Sequence, residues 1–262
     1  MRRFHVRALE SMVQAPDPLA CLRALPAETH PILLLDQTGG RSLLAWNPDA
    51  RREGRLTPQT QRAEPAARSG PQSRWPLAQT DPAQELEQAW TEECWSRAAE
   101  LPELGPAWFG WFGASCAHAY EPFPWGLPDA TQLPDWSFAR YPRALVWEAD
   151  RSLLLLSAED SEEGNHAWRE EVRTLLGRAA GAGATHPPIR VRLQPEQSQA
   201  RYLEAVSQLR AWIGQGELFQ ANLSHALSAE GAASPRELFA ALASAQPTAH
   251  AAYWEGKEGT AL

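Results

Sequence analysis

Few residue types in this chain are placed to do covalent chemistry. Lys257 is the only lysine among 262 residues, so an amine nucleophile could come only from it or from the N-terminus. It sits in Trp-Glu-Gly-Lys-Glu-Gly, a sequence that reads as a hairpin turn. Cys116 and His118 are close in sequence, but no Asp or Asn stands where a nucleophilic triad would need one. Cys21, Cys94 and Cys116 are far apart and odd in number, which speaks against a disulfide framework or a zinc site. Gly110 and Gly113 are followed by no Lys-Ser/Thr and do not make a phosphate loop. The polar residues with the most suggestive spacing are Gln220, Asn222 and Ser224. They alternate with Phe219, Ala221 and Leu223, so a strand there would carry three hydrogen-bonding side chains on one face.

The elements that would carry these residues are legible from caps and periodicity. Asp17-Pro18 opens a short helix over Leu19, Leu22 and Leu25. Ile32–Leu35 and Ser42–Trp46 flank Asp36-Gln-Thr-Gly-Gly40 and predict a hairpin. Residues 49–80 are polar and Pro-rich and read as a mobile loop. Asp81-Pro82 starts a helix with an apolar stripe through Leu86, Trp90 and Cys94, expected to run to about Leu101. Ala107–Gly113 reads as an aromatic strand whose glycines permit close packing, and residues 121–135 as a Pro-rich loop. Ala144–Trp147 and Ser152–Leu156 form a second hairpin, then a helix spans His166–Arg178. Residues 177–188 read as a flexible linker. Beyond it come a helix from Ser198 with a Tyr202, Val206, Leu209, Ile213 stripe, a strand over Leu218–Leu227, and a helix opened by the Ser234–Glu237 capping box. A last hairpin begins at Ala251–Trp254 and continues at Thr260–Leu262.

Hairpins interspersed with helices indicate an α+β fold, with antiparallel β-sheets in a sandwich and flanking helices. The net charge of −8 argues against a nucleic-acid partner. No apolar run approaches a membrane span, and no signal peptide is evident, so a cytoplasmic protein is expected.

The run Tyr202-x3-Val206-x6-Ile213-x2-Gly216-Glu-Leu-Phe-Gln-Ala-Asn-Leu-Ser224 carries a resemblance. It is similar to the opening of the chorismate-binding domain in component I of aminodeoxychorismate synthase and anthranilate synthase. There a helix precedes Gly-Asp-Ile-Phe-Gln-Val-Asn-Leu-Ser. Leu34–Gln37 with Arg41-Ser42 and Asn47-Pro48, the Trp108–Gly113 run with Tyr120-Glu121, and Leu133-Pro-Asp135 resemble other family segments in the same order.

The resemblance implies an N-terminal region over residues 1–190 and the first part of the chorismate-binding domain over 191–262. The component I sandwich would be incomplete at the C-terminus. It also implies, for the complete enzyme, replacement of a chorismate hydroxyl by ammonia, with Mg2+ as cofactor and a glutamine amidotransferase subunit as ammonia source. Asn222 favours aminodeoxychorismate synthase, on the folate route, over anthranilate synthase, on the tryptophan route; a non-catalytic fragment is the further alternative. The family's Ser-Pro-Glu, Pro-Ile-x-Gly-Thr and His-x-Met-x-x-Asp segments do not occur in this sequence. No catalytic residue and no metal ligand is therefore assigned to the chain.

What remains is the strand motif Phe219, Gln220, Asn222 and Ser224 and a tryptophan-like pocket. The resemblance places that pocket at Gln37, Arg41, Ala249 and His250. At two of these positions the family carries other residues, a serine where Gln37 stands and a proline where Ala249 stands.

Overall fold

The computed structural model describes residues 2–57, 80–121, 133–181, 189–231 and 233–256. Most of the loop expected at 49–80, most of the Pro-rich stretch, residues 182–188 of the linker, Lys257 and the strand at Thr260–Leu262 lie outside these residues. The chain divides into two units, Met1–Ala184 with Leu242–Leu262, and Thr185–Ala241.

The larger unit is built on a seven-stranded sheet and a three-stranded sheet. Its strands in chain order are β1 (Arg2–Met12), β2 (Ile32–Leu35), β3 (Ser42–Ala45), β4 (Ala50–Gly54), β5 (Glu93–Arg97), β6 (Ala107–Phe112), β7 (Trp136–Tyr141), β8 (Arg143–Trp147) and β9 (Leu153–Ser157). The last strand among the described residues, β12 (Ala251–Trp254), also belongs to it. The seven-stranded sheet runs β12-β2-β3-β8-β9-β1-β5, and the three-stranded sheet β4-β7-β6. All neighbours are antiparallel except β1 and β5. The expected hairpins form, β2 against β3 and β8 against β9.

Both sheets contribute to one core. Tyr141 and Ala139 of β7 pack with Phe4, Val6, Ile32, Leu43, Val146 and Leu156 of the larger sheet. The Tyr141 ring meets Trp254 and Phe109 edge-on at 6.2 and 6.0 Å. Burial pushes the Tyr141 hydroxyl well above the ordinary phenol range, and that hydroxyl donates to the His30 carbonyl at 2.9 Å. Gly110 lets β6 approach β7 closely, since a Cβ there would sit 2.1 Å from the Ser137 carbonyl oxygen.

Helix α1 (Pro18–Ala24) starts as expected, with the Asp17 carboxylate accepting from Leu19 N–H at 2.8 Å. Helix α2 (Pro82–Thr91) stops about ten residues earlier than its pattern suggests. Its intended stripe residue Cys94 lies in β5, whose ladder with β1 takes over the backbone groups a longer helix would have used. The polar stretch after residue 49 likewise contains β4, a strand that composition hides because Arg51, Arg52 and Glu53 alternate around a backbone paired with β7. Helix α3 (Glu162–Gly181) is longer than expected and takes in the first residues of the presumed linker.

The smaller unit holds β10 (Arg192–Pro195), α4 (Gln199–Gly214) and β11 (Leu227–Glu230), with β10 and β11 antiparallel. Helix α5 (Pro235–Ala245) crosses the unit boundary. Its capping box is reciprocal: Ser234 N–H donates to Glu237 Oε2 at 2.9 Å, and Glu237 N–H to Ser234 Oγ at 3.3 Å. The strand expected over Leu218–Leu227 is not formed up to residue 226; only its last residue enters β11. Alternation supplies the side-chain pattern, but a strand also needs a neighbour to take its N–H and C=O groups, and beyond Glu196 N–H, which donates to the Ala226 carbonyl at 3.0 Å, the described residues provide no ladder for it.

Candidate functional site

The loop between β2 and β3 is tied by its own side chains. Asp36 Oδ1 accepts from Thr38 N–H at 2.7 Å and from the Thr38 hydroxyl at 2.8 Å. These two bonds, backbone first, hold the Asp36 carboxyl below its ordinary range, and the charge of His250 adds to them. Asp36 N–H donates to Ser42 Oγ at 3.0 Å, closing the turn. Gly39 has φ +109°, and Gly40 passes so close to Asp36 that any Cβ would collide with the carboxylate.

This turn forms one wall of a cleft of about 460 Å³. Leu35, Asp36 and Gln37 line it on one side, Trp147, Glu148 and Arg151 on another, and Pro16–Pro18 on a third. Trp147 Nε1 donates to the Pro16 carbonyl at 2.9 Å and so holds the segment before α1 against the end of β8. Gln37 lines the cleft, and its side-chain oxygen is buried with no hydrogen-bond donor to it among the described residues.

Gln37 and the Ala249-His250 segment come together. Gln37 N–H donates to the Thr248 carbonyl at 3.0 Å, continuing the ladder in which Leu35 pairs with Ala251. His250 N–H donates to Thr248 Oγ1 at 3.3 Å. Arg41 turns instead to Glu148, with Nε 2.7 Å from its carboxylate. Of the four expected pocket residues only Gln37 lines the cleft; Ala249 and His250 stand at the adjoining strand end. The residues that sequence reasoning missed here are Asp36, Gly40 and Trp147. The Asp-x-Thr-Gly-Gly turn was a signal for the first two, whereas nothing local marks Trp147.

The strand motif is elsewhere. Gln220, Asn222 and Ser224 are exposed, and Phe219 is 98% exposed. The single strand face expected for these three side chains does not form, because residues 218–226 are not in a strand.

Two further clusters are structural. Arg140 forks onto Asp49 at 2.7 and 2.8 Å and also bonds Glu93, whose other oxygen accepts from the indoles of Trp95 and Trp108 at 2.8 and 2.9 Å. Cys116 is buried and its thiol is pushed up by burial and by the Asp135 charge, the opposite of an activated nucleophile. Among the described residues no three His, Cys, Asp or Glu side chains converge as metal ligands, so the residues present do not fit a magnesium site and no step through the ion is assigned to them. No helix among the described residues is long and apolar enough to cross a membrane.

Residues 30–262 match the family of chorismate binding enzymes. The chain belongs to that family. Its relatives include anthranilate synthase component 1 of Thermus thermophilus, 32% identical over 161 residues, which are 60% of this chain and 34% of that protein. A second, anthranilate synthase component 1 1 of Haloarcula marismortui, is 28% identical over 56% of this chain and 33% of its own. The crystal structure of anthranilate synthase component I from Streptococcus pneumoniae superposes with a TM-score of 0.58 at 19% identity, over 88% of this chain and 51% of that one. This likeness shows the fold. The chain spans about a third of the length of these curated relatives and half of the solved structure.

Proposed function

We propose that residues 1–262 are the N-terminal part of a component I enzyme that aminates chorismate, working with Mg2+ and an amidotransferase subunit in the cytoplasm. The observation that carries this reading is the family match across residues 30–262. Two relatives named anthranilate synthase component 1 favour the anthranilate product. The aminodeoxychorismate product is the second reading, and it rests on Asn222 in the Gln-x-Asn-Leu-Ser run. In this proposal residues 1–190 form the N-terminal region and 191–262 open the chorismate-binding domain. The reacting groups belong to the part of the enzyme that this chain does not span. The test is to assay the full open reading frame containing these residues with chorismate, ammonium and magnesium, and to identify the product. Anthranilate supports the first reading and 4-amino-4-deoxychorismate the second; the absence of either product over a no-enzyme control defeats both.

The cleft beside Gln37 is proposed as the pocket for tryptophan as a regulatory ligand. Its volume suits one amino acid, and the Gln37 amide, whose buried oxygen has no donor among the described residues, would serve an ammonium or indole N–H by turning into the cleft. Calorimetric titration of the chain with tryptophan tests this, with Gln37→Ala expected to weaken binding. No heat with tryptophan, or an unchanged affinity in the variant, removes the assignment.

A further inference from the structure

Strand β4 lies at the edge of the three-stranded sheet, and with the residue that follows it carries Arg51, Arg52 and Arg55. All three line a cleft of about 430 Å³, with Trp136 on its wall and Glu53 and Glu85 as its acids. Three guanidiniums against two carboxylates make a local excess of positive charge in a chain of net charge −8. The cleft shares no residue with the one beside Gln37.

Two buried arginines on neighbouring strands are provided for very differently. Arg140 of β7 forks onto Asp49 and also bonds Glu93, so its charge faces carboxylate oxygens on several nitrogens. The Arg51 side chain is as deeply buried, 9% exposed against 8%. Its ion-pair partner Glu53 stands 3.8 Å from Nη1, beyond hydrogen-bond distance, and Nη1 is buried with no hydrogen-bond partner among the described residues. One Glu53 oxygen accepts instead from the Ser137 hydroxyl at 3.3 Å. The Trp254 ring, 5.5 Å from the Arg51 guanidinium, favours the positive charge without supplying an oxygen. Arg52 is also loosely paired, with Nη2 3.9 Å from Glu92.

A second, uncharged donor lies at the same wall. Trp136 is 5% exposed, and its indole Nε1 is buried with no acceptor among the described residues. The indole is seated against Gly54, where a Cβ would stand 2.8 Å from Nε1. Buried N–H groups are ordinarily satisfied, and a buried guanidinium ordinarily faces oxygens. Both unsatisfied groups are donors and one is charged, so the partner they lack is an anionic acceptor.

We propose that this cleft binds a small oxyanion, a phosphate or carboxylate group, held by Arg51 and Arg52 with the Trp136 indole N–H as a neutral donor. Either group presents two oxygens to the forked N–H bonds of a guanidinium. Arg51 Nη1 and Trp136 Nε1 lie beneath the wall of the cleft, and the anion reaches them as the Arg51 guanidinium turns about its last torsions. The inference rests neither on chorismate turnover nor on tryptophan binding.

The test titrates the 262-residue chain with inorganic phosphate and with succinate, each at an ionic strength held constant with sodium chloride. Heat is measured, and the indole N–H resonance of Trp136 is followed by NMR after assignment through Trp136→Phe. One saturable site is expected, with that resonance shifted on saturation. Binding of phosphate alone assigns a phosphate group, binding of succinate alone a carboxylate, and competition between the two a site for either. Arg52→Gln is expected to weaken binding by about fivefold or more, while Arg201→Gln on α4 changes it less than about twofold. Arg52 is the more exposed of the two clamps, so its variant should keep the wild-type thermal transition and carries the test; Arg51→Gln is added where it folds. No saturable binding of either probe overturns the proposal. So does binding that Arg52→Gln leaves unchanged, or binding that leaves the Trp136 resonance in place, which marks an adventitious ion only.

Discussion

Two hairpins of this molecule are built alike and end differently. In β8–β9, Leu145 faces Leu155, and both are fully buried because the seven-stranded sheet continues on either side and other elements cover it. In β10–β11, Leu193 faces Ala229 with the same antiparallel geometry, and Leu193 is left largely in water. Ladder hydrogen bonds form in both. What differs is the material stacked on the apolar face, so pairing and burial are separate achievements: the first needs one neighbour, the second a whole layer.

The comparison can be broken most sharply at Arg140 in the larger unit. Its guanidinium holds Asp49 and the deeply buried Glu93, with side chains only 8% and 6% exposed for Arg140 and Glu93. Arg140→Ala leaves Glu93 charged and uncompensated, and should cost about 3–5 kcal/mol in urea unfolding. A loss below ~1 kcal/mol would mean that this network is not sealed from water. Next in size is the direct contrast between hairpins. Leu155→Ala removes a buried side chain and should cost ~2–5 kcal/mol, whereas Leu193→Ala should stay within about 0.5 kcal/mol. Equal costs would show that the smaller hairpin is covered in solution.

A smaller effect is expected at the N-terminus of α5. Ser234→Ala breaks one half of the reciprocal cap and should lower stability by roughly 1 kcal/mol, seen as faster amide exchange in the first turn. Unchanged exchange there would remove the cap from the account. The smallest expected change is chemical. Burial, aided by the Asp17 charge, pushes the Cys21 thiol up to about 12, while Cys94 is exposed. At pH 8 an alkylating reagent should therefore label Cys94 and spare Cys21. The folded-state value lies above the ordinary thiol value of 9.0, so the Cys21 contribution to stability is full below about pH 9 and is lost as the pH rises towards about 12. Labelling of both thiols at equal rates at pH 8 would show that the α1 face opens readily.

The comparison also explains what was legible beforehand. The Asp17, Asp81 and Ser234 caps were readable because the capping bonds themselves are local, within three residues. The β2–β3 and β8–β9 hairpins were readable because apolar runs flank short turns. Strand β5 was not, since Glu93–Arg97 continues a helical stripe and becomes a strand only by pairing with Arg2–Val6, about ninety residues away. Strand β4 was hidden by its charges. Residues 218–226 show the reverse error, a strand pattern without a strand. At the cleft, Gln37 was reached through the family resemblance, while Trp147 joins the wall through a bond to Pro16 that no sequence window contains.

By itself, then, the sequence determined the short-range elements, the α+β class and the family, because caps, turns and alternation act between residues close along the chain. The tertiary structure decided which of those elements would have neighbours. It set β1 beside β5, brought Gln37 against Thr248, buried Arg140 between two acids and left the β10–β11 face open. Pairing and burial are settled by residues remote in sequence, and a local pattern can specify the shape of an edge or a face without specifying what meets it.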